Sequence, residues 1–160
     1  MKPSYGMYFT VNPATYVSVN NKQFAYFTDI PMVGTSTGDK LYGSSNIANN
    51  LCNSGSSPEC LSVTQINSGE YIDEICYPTP SVVCDAKELN IVYTRPLPDA
   101  SILMRTAYNS TTSTVLVACI EIASPNDASS KRTIKVNSFG QIQTYNLSAT
   151  STVSGTNICS

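Results

Sequence analysis

At 160 residues the chain is sized for one domain, 1–160, since single domains run to roughly 100–200 residues. Hydrophobic residues make up 41% and charged residues only 12%, a balance that excludes a disordered polyelectrolyte. A net charge of −2 argues against nucleic acid or an anionic membrane as the dominant partner of the surface.

Residues 5–11 (Tyr-Gly-Met-Tyr-Phe-Thr-Val) are rich in aromatic and β-favouring side chains and predict a strand, which Asn12 and Pro13 end. Residues 15–19 alternate and predict a second strand, closed by Asn20 and Asn21. Residues 23–28, with Phe24, Tyr26 and Phe27, predict a third. From 29 to 50 Gly, Ser, Thr, Asn and Asp dominate, which predicts a long surface loop. Residues 61–66 alternate, Ser68 and Gly69 turn the chain, and 71–76 continue the sheet. Residues 89–94 form the next strand, broken by Pro96 and Pro98. Residues 101–108 follow, with Ile102 and Met104 on one face. Residues 114–122 are the most apolar run; being short and β-branched, they predict one central strand. In 131–136, Thr133 and Lys135 share one face, and Ile134 and Val136 the other. Ser138, Phe139 and Gly140 then turn the chain into 141–145, a hairpin. The tail 148–160 is polar and is expected to be anchored only by Cys159. No longer stretch carries a helical period. The prediction is a mostly β fold of antiparallel strands in two packed sheets.

Six cysteines are present: Cys52, Cys60, Cys76, Cys84, Cys119 and Cys159. None forms a Cys-x-x-Cys pair and histidine is absent, so a zinc site lacks its usual donors and no metal is expected. An even count favours disulfides, whose many connectivities sequence cannot rank outright. Spacing prefers Cys52 with Cys60 and Cys76 with Cys84, each pair flanking a turn-forming segment. Cys119 is then left for Cys159. Disulfides imply an oxidising compartment: periplasm, cell surface or secreted space. No run of about 18 apolar residues exists, and the first residues lack the apolar region of a signal peptide. An exported chain of this kind is expected to have its native N-terminus upstream of Met1.

Chemistry is sparse. Without histidine no Ser-His-Asp or Cys-His triad can form. Lys22, Lys40, Lys87, Lys131 and Lys135 sit in no nucleophile motif, and there is no phosphate-binding loop. Asp73 and Glu74 are adjacent, and Asp85 and Glu88 lie close along the chain; on a strand Asp73 and Glu74 would point to opposite faces. Asp29 and Asp39 frame the polar loop and could supply calcium ligands, but the spaced-acid pattern of a calcium loop is missing. Asn109-Ser110-Thr111 and Asn146-Leu147-Ser148 fit the N-glycosylation sequon. Ten tyrosines, among them Tyr5, Tyr8, Tyr16 and Tyr26, offer binding surface or sheet packing. No enzyme activity and no cofactor are expected.

Three blocks resemble a known family. Tyr5-Gly6-Met7-Tyr8-Phe9, followed by Tyr16-Val17 and Phe24-Ala25-Tyr26-Phe27-Thr28-Asp29, is similar to the start of the globular domain in type IV pilins and pseudopilins of the GspH/FimT-like group. The segment from Ile91 through Arg95-Pro96-Leu97-Pro98-Asp99-Ala100 resembles that family's strand followed by proline-x-proline-aspartate. Residues 132–142, with Ser138-Phe139-Gly140 as the turn, resemble its C-terminal hairpin. The resemblance implies an α+β protein whose N-terminal leader and membrane helix are missing from this sequence. It implies a non-catalytic minor pilin or pseudopilin of a type IV pilus or type II secretion-like filament. Its partners would be other pilin subunits, and it would touch the membrane only through that helix. It would be anchored in the inner membrane before assembly, then found at the cell-surface pilus or in the periplasm. Some relatives bind DNA through a Gly-Arg-x-Arg turn; here the turn is Gly140-Gln141-Ile142-Gln143, without arginine. Lys131, Arg132 and Lys135 are the only local cations and the candidate nucleic-acid contacts. The rival expectation is a surface adhesin or binding module that uses the Tyr-rich strands and the 29–50 loop.

Overall fold

A computed structural model of the chain describes residues 4–11, 19–31, 38–42, 59–66, 69–96, 99–107, 110–147 and 158–159. Among these every regular element is a strand: β1 (Ser4–Thr10), β2 (Gln23–Asp29), β3 (Cys60–Gln65), β4 (Tyr71–Thr79), β5 (Ser81–Val83), β6 (Glu88–Thr94), β7 (Ala100–Arg105), β8 (Ser113–Val115), β9 (Val117–Ser124), β10 (Asp127–Asn137) and β11 (Ile142–Leu147). They form a six-stranded sheet in the order β3-β2-β1-β6-β7-β8 and a five-stranded sheet in the order β11-β10-β9-β4-β5. Every pairing is antiparallel, as a mostly β chain without long crossovers requires.

Alternation decides what each strand buries. Leu89 and Ile91 of β6 and Ala100, Ile102 and Met104 of β7 meet Ile72 and Ile75 of β4, Ala118 and Ile120 of β9, and Val136 of β10. This cluster is the core between the sheets. Each of its large aliphatic side chains contributes roughly 1.5–3 kcal/mol by leaving water. The opposite face of the six-stranded sheet carries a second cluster of Tyr8, Ala25, Phe27 and Val92, capped by Val19 and Tyr42. Tyr42 reaches it because its amide donates to Asn90 Oδ1 at 2.9 Å and its ring lies 5.2 Å from that of Tyr8. Gly6 lets the Phe27 ring lie against β1: a Cβ there would stand 2.5 Å from the ring.

Several expected elements change. The apolar run 114–122 is two strands, not one, because the chain changes sheets at Leu116. That residue is 73% exposed, and its carbonyl accepts from Ser138 N at 2.8 Å. β9 alone is central, lying between β10 and β4. The segment between Cys76 and Cys84, expected to be a loop, is the β4–β5 hairpin, with Thr79 opposite Ser81. A register shift between Ile72 and Glu74 interrupts the alternation of β4. Ile72 and Ile75 both remain in the core, so Asp73 and Glu74 are not split between faces. The 29–50 segment is not surface throughout, since Asp29 and Tyr42 are buried. The expected strand at 15–19 and the expected Cys52 partner of Cys60 lie outside the described residues. Cys60 itself is disulfide-bonded.

The Cys76–Cys84 and Cys119–Cys159 pairings are as the spacing predicts. Cys76 stands opposite Cys119 across β4 and β9, so the two bridges adjoin in one buried cluster. The tail has a second anchor besides Cys159: Lys135 Nζ donates to Ile158 O at 2.8 Å. Two disulfides point to an oxidising, extracytoplasmic setting.

Candidate functional site

The inter-sheet core uses only part of the inner face of the six-stranded sheet. Beyond it, Tyr5 stands opposite Tyr93, and Met7 opposite Tyr26, on the strands flanking β1. These four side chains, with Gly6 and Arg95, line a cleft of about 240 Å³. The Arg95 guanidinium carbon lies 5.5 Å from the Tyr5 ring centroid, a cation–π contact. Tyr26 is 41% exposed at the rim. Burial raises the Tyr93 phenol pKa, and its hydroxyl is buried without a hydrogen-bond partner among the described residues. A flat aromatic wall, one cation and an unmet hydroxyl suit binding. They offer no nucleophile with a base beside it.

A second cleft of about 410 Å³ opens on the five-stranded sheet. It is floored by Ile122 and Ile134 and edged by Glu70, Arg132, Thr144 and Asn146. Thr133 on its wall has a buried hydroxyl, again without a partner among the described residues.

The tyrosines sort by register. Tyr5 and Tyr26 meet in the cleft, Tyr8 turns into the second core cluster, and Tyr16 lies outside the described residues. Tyr93 and Arg95 join the cleft from β6 and just beyond it, 88 to 90 positions from Tyr5 by their residue numbers. Only the β1–β6 pairing brings them there.

The three candidate nucleic-acid contacts do not form one patch. Lys131 and Lys135 share one face of β10. Lys131 Nζ lies 2.7 Å from Asp73 Oδ2 and 3.3 Å from Glu121 Oε2. The bond to Asp73 pushes its pKa up to about 12; burial opposes this, and Glu121 adds to it. Lys135 holds the tail carbonyl described above. Arg132 lies on the other face, 3.9 Å from Glu70 Oε1. Cations already matched to carboxylates release few counterions to a phosphate backbone.

Asp29 and Asp39 do come together, and Glu59 joins them: one carboxylate oxygen from each lies within 4.8 Å of the others. Asp29 Oδ1 accepts the Lys40 amide at 2.9 Å, and Gly38 packs so closely on the Asp29 carboxylate that no side chain fits there. Burial raises the Asp29 pKa; the Lys40 amide opposes it. Three carboxylates are oxygen donors of the kind calcium takes, fewer than the six to eight ligands it gathers. Glu74, Cys76 and Cys84 also cluster, but both sulfurs are in a disulfide and have no thiolate to offer. No known protein family, curated protein or solved structure matches the chain.

Proposed function

We propose that this chain is the globular domain of a filament subunit, a minor pilin or pseudopilin of a type IV pilus or type II secretion-like filament, with a structural, non-catalytic role. One observation carries the reading: the three blocks that resemble the GspH/FimT-like group occupy framework positions. Tyr5–Phe9 and Phe24–Asp29 lie in the neighbouring strands β1 and β2, the second block begins in β6 beside β1, and the third is the β10–β11 hairpin. Disulfide stapling fits an extracytoplasmic structural part. In a subunit of that group an N-terminal helix would supply the inner-membrane anchor and the filament core. The test is to express a tagged copy in the native host, shear the cells, and pellet the filaments. The chain is expected in the sheared filament fraction, cross-linked to other subunits. Recovery only as free protein in the medium would overturn the proposal.

A binding module is the second reading, and the aromatic cleft favours it. Tyr26→Ala and Arg95→Ala would then abolish binding on a glycan or peptide array without changing the melting temperature. An array on which the wild-type chain binds nothing would defeat it. A DNA-uptake pilin is disfavoured by the split and paired cations.

A further inference from the structure

A sheet has two edges, and each edge strand presents unpaired N–H and C=O groups that invite another strand. Among the described residues the fold has four such edges, and three are guarded. β5 and β8 are only three residues long, and β5 is clipped by the adjacent Cys76–Cys84 bridge. β3 begins at disulfide-bonded Cys60 and pairs with β2 through a register shift that twists it. Among the described residues β11 has none of these protections. It pairs with β10 over six consecutive residues without a shift, from Lys131 opposite Leu147 to Val136 opposite Ile142. It carries no charge and no proline, and neither does the sequence from Asn137 to the last residue. Ile142, Gln143, Thr144 and Asn146 are exposed, Ile142 by 54%.

We propose that β11 is a self-pairing edge, joining two copies of this chain antiparallel about a twofold axis at Thr144, so that their five-stranded sheets run on as one. The register supports this occupant. Asn137 N bonds to Gln141 O at 3.1 Å, so by alternation Gln143 and Tyr145 also bond inward to β10. The backbone groups of Ile142, Thr144 and Asn146 therefore face outward. A twofold at Thr144 sets Thr144 against its own copy and Ile142 against Asn146 of the other. That arrangement gives up to about six main-chain hydrogen bonds. An isologous contact duplicates any charge of β11 within the same interface, and a charge at the axis would face its own copy. β11 has none. Phe139, 73% exposed in the turn that leads into β11, adds apolar surface at the rim. The proposal does not rest on the filament reading.

The test is light scattering and sedimentation of the oxidised chain from micromolar to sub-millimolar concentration. A concentration-dependent dimer is expected. Thr144→Lys places like charges against each other at the axis and raises the dimer dissociation constant at least about tenfold. Thr144→Glu does the same, and mixing the T144K and T144E proteins restores a dimer. Ser62→Lys on the β3 edge leaves the dimer unchanged. Circular dichroism and the oxidised mass check that each variant is folded. A wild-type chain that stays monomeric throughout, or T144K and T144E proteins that dimerise no better mixed than alone, would overturn the proposal.

Discussion

Two of the disulfides, Cys76–Cys84 and Cys119–Cys159, allow a controlled comparison, because they adjoin and differ mainly in the loop each closes. Their sequence separations are 8 for Cys76–Cys84 and 40 for Cys119–Cys159. Cys76, Cys119 and Cys159 are fully buried in one cluster and Cys84 is partly buried beside them, so replacing either pair by alanine removes packing of the same order. What differs is the entropy regained by the unfolded chain. Loop-closure entropy assigns about 2.5 kcal/mol to the short loop and about 4 kcal/mol to the long one. In a domain of this size each kcal/mol moves the melting temperature by roughly 2–4 °C. C76A/C84A is therefore expected to melt roughly 5–10 °C below wild type, and C119A/C159A roughly 8–16 °C below, again on that size scaling. The assay is calorimetry on the oxidised wild type and both double variants at equal concentration. Equal losses, or a larger loss for the short loop, would refute the chain-entropy reasoning. They would show that the β4–β5 hairpin depends on its bridge more than the C-terminal tail does.

Gly6→Ala drives a Cβ into the Phe27 ring and is expected to cost about 1–3 kcal/mol. Phe27→Leu in the same background should recover part of the loss, and an unchanged urea midpoint for G6A would contradict the close approach. Glu88 is buried, accepts from Tyr8 OH at 2.8 Å and faces Arg105 Nη1 at 3.5 Å; burial raises its pKa above 4.5 against both partners. Protonation of Glu88 thus favours the folded state. That stability is complete below 4.5 and is lost as pH rises through the raised value, so a urea midpoint followed against pH should fall across this window in wild type and flatten in Glu88→Gln. Lys131 has the same sign as Glu88 in its own, alkaline window: its stabilisation is present below 10.5 and disappears as pH rises towards about 12. Lys131→Met removes that alkaline loss from the thermal-melt pH profile.

Local pattern carried most of the framework. β1, β2, β3, β6 and β11 fall close to where composition and turn residues put them, while β10 begins at Asp127, before the expected 131, and β7 ends at Arg105, short of the expected 108; period-two burial is clear in β1, β2 and β7. The failures have one cause. Residues 114–122 look like a single strand because an apolar run has no mark for a change of sheet. Leu116 makes that change, and only its exposure and the Ser138 bond reveal it. The bulge at Asp73 has the same character: which acids share a face depends on β9 opposite them, not on their spacing. The cleft was half legible. Tyr5 and Tyr26 stood out as exposed-capable aromatics, but Tyr93 and Arg95 reach them only through the β1–β6 register. Glu59 likewise joins Asp29 and Asp39 from a segment that no spacing rule connects to them.

Scarcity of charge links these observations. A β protein usually guards its edges with lysine or with inward-pointing charges. With 12% charged residues, several of them already matched as Lys131 is to Asp73 and Glu121, this chain has few to spare. It guards by geometry instead: three-residue edge strands, a register shift and disulfides at strand ends. Geometric protection is local, so it has to be built at every edge separately. Among the described residues β11 alone lacks it, and that asymmetry is what supports proposing this edge for pairing.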